Sequence, residues 1–291
     1  MTAESLRTDI VEVGRRMYAR GYTASNDGNI SARLDDGRLL MTPKSVCKGF
    51  MTPDMLCITD LDGRKLEGTR DPSSEMLMHL EVYRQRPDVR AVVHAHPPTA
   101  TGFAVAGIPL DRAVLAEVLT TLGSIPIAEY ATPSTSELPA AVRQYIKAHD
   151  GMLLANHGAL TVGPDLFSAY YKMETIEHFA KISLVARLLG RENLIAREEV
   201  LRLQELRGTY GIKAPAPICA DGATEADALA GPATCQVVQA PSGGGQRLVA
   251  DAPPGVPDRA TGQAALPDQE IRLTYRELSA LIEEAVRSLR S

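Results

Sequence analysis

The chain of 291 residues is 44% hydrophobic and 23% charged, an ordinary globular composition with length for one large core or two small ones. Its formal charge of −5 divides into −1 over residues 1–213, −5 over 214–270 and +1 over 271–291, and a near-neutral first part argues against a nucleic-acid footprint, which needs a basic face. No apolar run approaches the roughly 20 residues that cross a bilayer, and the N-terminal segment is amphipathic without a secretory pattern, so a cytoplasmic protein is expected. Cys47, Cys57, Cys219 and Cys235 show no CxxC spacing and read as free thiols of a reducing compartment.

Leu6, Ile10, Val13 and Met17 recur at helical spacing and predict a first helix stopped near Gly21. Residues 28–60 read as short strands and turns: 29–34, a turn at Asp35-Asp36-Gly37, 38–41, and 55–59 before Asp62-Gly63. Pro72-Ser73-Ser74-Glu75 opens a helix through about Arg84, with serine as its N-cap. A strand over 89–96 ends at Pro97-Pro98, and a helix over about 99–106 follows. Strands at 125–129 and 152–155 flank a helix at 138–149, and Pro164 to Leu189 carries the longest helical pattern, with Gly190 past its end. The sum is an α/β chain with a mixed, largely antiparallel sheet and helices on both faces.

Composition then changes. No aromatic residue lies between Tyr210 and Tyr275, and 29 of the 57 residues in 214–270 are Ala, Gly or Pro. Such a segment buries too little apolar area to offset chain entropy and reads as a disordered linker. Residues 271–291 recover a pattern: Leu278, Leu281, Ile282, Ala285, Val286 and Leu289 form one stripe behind the capping box Thr274-Tyr275-Arg276-Glu277. A helix this short is marginal alone, so a partner surface is expected for it.

Among the titratable residues, the strand period of two puts His94 and His96 on the same face, and two imidazoles side by side either bind one metal ion or form a hydrogen-bonded core pair. His157, in Ala155-Asn156-His157-Gly158, ends another apolar strand. Glu75 is either a carboxylate favoured by a helix N-terminus or a metal ligand or general base. Ser73 and Ser74 add hydroxyls to exposed helix amides, a credible phosphate seat. Gly28-Asn29-Ile30-Ser31 and Thr42-Pro43-Lys44-Ser45 are polar turns. His79 reads as a packing residue, and His149 and His178 as solvated.

Together, GNIS at 28–31, MTP at 41–43, PSSE at 72–75, AVVHAH at 91–96, IPIAEYAT at 125–132, ANHGAL at 155–160 and TYG at 209–211 resemble the class II aldolase/adducin family, and within it the fuculose-phosphate-type aldolases. The resemblance spans essentially all of residues 1–212. It implies a three-layer α/β/α fold with a central, mainly antiparallel sheet, and a homotetramer with active sites between subunits. It implies that His94, His96 and His157 bind a divalent metal, zinc first. It further implies that Glu75 ligates that metal at rest and acts as acid/base in turnover, that Asn29, Ser73 and Ser74 hold a substrate phosphate, and that Tyr210 reaches a neighbouring site. Lys44-Ser45 stands where fuculose-type enzymes have Thr-Gly; Lys44 can neutralise a phosphate, serve a carboxylate or point outward. The proton-donating tyrosine of those enzymes has no match in 112–117, where Glu117 is the nearest polar residue.

The expected activity is therefore cleavage of a deoxyketose 1-phosphate, such as L-fuculose or L-rhamnulose 1-phosphate, to dihydroxyacetone phosphate and lactaldehyde. A pentulose-phosphate 4-epimerase, a sugar-acid phosphate decarboxylase and a non-catalytic adducin-like interaction module are the alternatives. A linker followed by a short amphipathic helix also looks like the encapsulation peptides that recruit enzymes into bacterial microcompartments. On that reading residues 271–291 meet a shell protein; on the other, they pack on the enzyme's own oligomer.

Overall fold

The computed structural model describes residues 3–209 and residue 212. Tyr210, the linker 214–270 and the terminal helix expected over 271–291 lie outside the described residues.

Helix α1 (Ala3–Ala19) buries Leu6, Ile10, Val13 and Met17, the expected stripe. Strands β1 (Asn29–Arg33) and β2 (Leu39–Met41) form the expected antiparallel hairpin. Two 3-10 turns (Lys48–Phe50 and Pro53–Met55) lead to β3 (Cys57–Thr59). A strand absent from the sequence reading, β4 (Lys65–Glu67), pairs with β3 at the sheet edge. Helix α2 (Met76–Gln85) starts later than expected: Glu75, not a serine, occupies its N-cap position. The Ser73 hydroxyl instead accepts the Glu75 amide, at 3.3 Å, and closes the turn before the helix.

Strand β5 (Ala91–Ala95), helix α3 (Pro98–Val105), β6 (Ile127–Ala128), α5 (Glu137–Ile146) and β7 (Gly151–Leu154) fall where the pattern places them. Helix α4 (Ala116–Thr121), strand β8 (Gly158–Gly163) and helix α7 (Arg197–Thr209) are additional. The long helix α6 (Leu166–Leu188) is capped by Asp165, whose carboxylate accepts the Ser168 amide at 2.8 Å.

The described strands make one sheet in the order β4-β3-β2-β1-β5-β8-β7-β6, antiparallel except for the β6–β7 pair. Alternation along β5 divides the interior. Ala91, Val93 and Ala95 face a core shared with α1, α3 and α6, while Val92 faces a second core with α2 and α5. Three layers result, helices over both faces of the sheet. Among the described residues no helix is long and apolar enough to cross a membrane.

This topology positions a site. Because β1, β5 and β8 are antiparallel neighbours, the start of β1, the end of β5 and the start of β8 meet at one end of the sheet. Asn29 sits directly opposite His94 in the β1–β5 register, on the face covered by α2.

Candidate active site

The NHG segment is the tight connection between β7 and β8. Asn156 takes a φ of +55°, a conformation asparagine tolerates better than most residues, and the His157 amide donates to the Leu154 carbonyl at 3.0 Å. Gly158 is required by proximity: a Cβ there would stand 2.5 Å from the Ala95 carbonyl oxygen and 2.6 Å from the His96 ring. Gly28 is the counterpart before β1, with φ +69° and a Cβ position 2.8 Å from the His94 carbonyl oxygen. These two glycines let three backbone segments close around the histidines.

His94, His96 and His157 then face one another, with ring centroids 4.7 to 5.0 Å apart. Regular strand ends at Ala95, yet His96 still turns back on His94, their Nε2 atoms 3.1 Å apart. His94 is fully buried and its Nδ1 donates to the Ala159 carbonyl at 2.9 Å, which leaves Nε2 with a free lone pair. Glu75, at the N-cap of α2, completes the set: Oε2 lies 3.4 Å from His94 Nε2 and Oε1 lies 3.1 Å from His157 Nε2. Oε1 accepts no hydrogen bond of proper geometry in the described structure.

The charge state follows from burial. Desolvation holds the His94 imidazole down to a pKa of about 3 and also lowers His96, so both are neutral near pH 7. Burial pushes the Glu75 carboxyl upward, but its polar surroundings, with the Asn29 amide donating to Oε2, outweigh it and hold the carboxyl below the usual carboxylate range. Imidazole nitrogens converging beside a carboxylate suit a divalent cation. Tetrahedral zinc places adjacent nitrogen ligands about 3.3 Å apart, and the three imidazoles offer nitrogens within 4.8 Å of one another. The residues present therefore fit a metal.

Behind the site runs a buried chain of hydrogen bonds. Asn29 Nδ2 donates to Glu75 Oε2 at 2.7 Å. Asn29 Oδ1 lies 2.5 Å from His79 Nε2, whose Nδ1 lies 2.6 Å from Ser31 Oγ, itself 2.9 Å from the Tyr83 hydroxyl. Burial lowers His79 to a pKa of about 4. A neutral His79 has one donor and one acceptor, so with Nε2–H given to Asn29 the Asn29 amide must aim its Nδ2 at Glu75. The packing role expected of His79 is thus a fixing role.

The other expected residues are distributed around this centre. Pro43 bridges Pro72, Lys44 N donates to the Asp71 carbonyl and Ser73 N to the Thr42 carbonyl, so the Lys44-Ser45 and Ser73-Ser74 turns lie side by side. Lys44, Ser45 and Ser74 are exposed and Ser73 is half-buried. An open cleft of about 450 Å³ beside them is lined by Tyr18, Ser25, Asn26, Ser45 and Cys47. Glu117 is exposed on α4 and lines a different cavity with Glu174, Glu177 and His178, which includes none of the three clustered histidines. His178 is exposed as expected, but His149 is a correction: it is 4% exposed, with Nδ1 bonded to the Ser124 carbonyl. Its helix ends at Ile146, so it returns toward the sheet instead of continuing a solvent face. The sequence reading also passed over Asp27, whose Oδ2 lies 3.4 Å from His96 Nδ1, and Lys48, which is buried. Asp27 stands one residue before Gly28 in a turn rich in polar residues, and no periodic signal marked it.

The three-layer α/β/α fold agrees with the family comparison. The Class II Aldolase and Adducin N-terminal domain matches residues 8–184, and the chain belongs to that family. Over 179 residues it is 34% identical to the L-fuculose phosphate aldolase of Methanococcus maripaludis, covering 61% of this chain and 96% of the relative. A 3-oxo-tetronate 4-phosphate decarboxylase of Escherichia coli is 32% identical over 186 residues, 62% of this chain and 87% of the relative. A 5-deoxy-D-ribulose 1-phosphate aldolase of Bacillus thuringiensis is 32% identical over 212 residues, 72% of this chain and 99% of the relative. Among solved structures, an L-fuculose 1-phosphate aldolase superposes with a TM-score of 0.66 at 29% identity, covering 70% of this chain and 97% of that one.

Proposed function

We propose that the protein is a metal-dependent lyase that cleaves a carbon–carbon bond of a phosphorylated ketose. The leading substrate class is a deoxyketose 1-phosphate such as L-fuculose or L-rhamnulose 1-phosphate, giving dihydroxyacetone phosphate and lactaldehyde. The observation that carries this reading is the convergence of His94, His96, His157 and the Glu75 carboxylate beside the Asn29 and Ser73 turns. A divalent metal, zinc first, held by the three histidines supplies a Lewis acid for the negative charge that develops on substrate oxygen as the bond breaks.

The chain's own residues do the rest. Glu75, ionised and held by Asn29, is placed to carry the proton exchanged at the carbon that becomes the enediolate. Asn29, Ser73, Ser74, Lys44 and Ser45 supply amide, hydroxyl and ammonium groups that hold the phosphate and so fix the reacting bond without entering the chemistry. Tyr210 completes the site from a neighbouring subunit of a homotetramer.

A second reading is favoured by the Lys44-Ser45 turn together with the decarboxylase relatives. In it the substrate is a phosphorylated 3-oxo acid, Lys44 meets its carboxylate, and loss of CO2 leaves negative charge on the same oxygen. A panel of ketose 1-phosphates and 3-oxo acid phosphates, assayed for dihydroxyacetone phosphate and for CO2, separates the two. With the preferred substrate, His96→Ala is expected to lose at least about 100-fold in kcat/KM, the scale of a lost metal-dependent step. Equal turnover by wild type and His96→Ala overturns the proposal. The domain plan accompanies it: residues 1–213 as the catalytic body, 214–270 as linker and 271–291 as a docking helix for a microcompartment shell.

A further inference from the structure

His96 has two hydrogen-bonding choices. It can donate Nε2–H to His94 Nε2, 3.1 Å away, which ties up both lone pairs; or it can carry its proton on Nδ1 and present a bare Nε2. His94 has no such choice, because its Nδ1 is committed to the Ala159 carbonyl and its ring is fully buried. The His96 side chain is 27% exposed, begins where regular strand ends, and finds on its Nδ1 side the carboxylate of Asp27 at 3.4 Å.

The loop that carries Asp27 is held in place. Asp27 N donates to the Ala24 carbonyl at 2.9 Å, and Gly28 closes against the His94 carbonyl. From below, the ammonium of Lys48, a residue only 2% exposed, donates to the carbonyls of Asn26 at 2.9 Å and Val46 at 2.7 Å. A buried cation spent on two backbone carbonyls serves the placement of that loop, and hence of the Asp27 carboxylate.

We propose that Asp27 is a positioning residue that fixes His96 in the Nδ1–H tautomer and so turns its Nε2 lone pair toward His94 and His157. The inference rests on the metal-dependent reading above. A carboxylate on the far nitrogen of a histidine ligand sets its ring orientation and raises its basicity, and removing one weakens metal binding by about 10- to 100-fold.

The test uses the full chain and two readouts. In metal-free protein, long-range 1H–15N correlation spectra give the His96 tautomer, the signal being assigned by its loss in His96→Gln. Wild type is expected in the Nδ1–H form and Asp27→Ala outside it. Asp27→Asn, which keeps an acceptor but not the charge, is expected to retain the tautomer. Co2+ titration followed by its d–d absorption is then expected to show about 10- to 100-fold weaker binding for Asp27→Ala, with Asp27→Asn between it and wild type. An unchanged tautomer, with Co2+ affinity within twofold of wild type, overturns the role of Asp27 alone. A wild-type chain that takes up no Co2+ overturns the metal-dependent lyase reading and this role with it.

Discussion

At the scale of single residues, the site depends on histidines kept neutral by burial. His79 illustrates the consequence for stability, because its folded pKa of about 4 lies well below its ordinary value of 6.5. Between those values the unfolded chain binds a proton that the folded chain refuses, so stability is fully present above pH 6.5 and falls as pH drops toward 4. A difference of that size corresponds to about 3 kcal/mol for His79, and the lowered pKa values of His94, His96 and His149 push in the same direction. The urea midpoint of wild type is expected to fall steeply from pH 7 to 4.5. In His79→Gln, which keeps a donor and an acceptor but no titration, the fall is expected to be shallower by a measurable part of that amount. Equal slopes in the two proteins would contradict the assignment. His79 also shows what a sequence carries. Its place one turn after Glu75 was legible, but its partners Asn29 and Ser31 lie 50 and 48 residues away in sequence, and no local pattern reports a contact made by sheet register.

At the scale of elements, the sequence announced those with strong periodicity and missed those without it. Helix α1 and strand β5 were legible because a stripe or an unbroken apolar run defined them. Strand β4 is Lys-Leu-Glu, exposed at all three positions, and exists only because β3 offers an edge. Helix α7 buries only Val200 and Arg207, too little for a stripe. The ion cluster that joins α2, β7 and α6 was equally invisible. Arg86 at the C-cap of α2 and Lys172 on α6 both reach Asp150, which precedes β7 and is 2% exposed; Arg86 also donates to the Ile146 carbonyl. Arg86 also pairs with Asp88 at 2.7 Å, so removing the Asp150 carboxylate leaves Lys172 as the cation without a carboxylate; breaking a buried pair costs about 3–5 kcal/mol. A cavity of about 580 Å³ lined by the same three residues gives water access, so the lower end is expected for Asp150→Ala. Calorimetry or urea unfolding at pH 7 checks the value; a cost under about 1 kcal/mol, the scale of a surface pair, would show that the cluster is solvated instead of structural.

At the scale of the whole molecule, chemistry and addressing are expected to separate along the chain. Among the described residues, the side chains of both hydrophobic cores fall between Leu6 and Ala180, and the clustered histidines and Glu75 lie within that span. The Bacillus thuringiensis relative is matched over 99% of its length while covering 72% of this chain, so part of this chain has no counterpart in that homologue. Residues 271–291, by contrast, pair a capping box with one apolar stripe and a net charge of +1, the pattern of a helix that needs a surface to fold against. Deleting residues 271–291 is therefore expected to leave kcat/KM within about twofold of wild type, since no residue placed at the site is touched. The same deletion is expected to abolish co-sedimentation with microcompartment shell proteins. The discriminating measurement is the mass in solution. A deleted chain that keeps the wild-type oligomer but loses the shell supports a docking helix, whereas one that falls to a smaller oligomer assigns the stripe to contacts between subunits. Because Tyr210 is proposed to act across a subunit boundary, that second outcome carries a kinetic signature: activity would drop together with the mass and recover as protein concentration is raised.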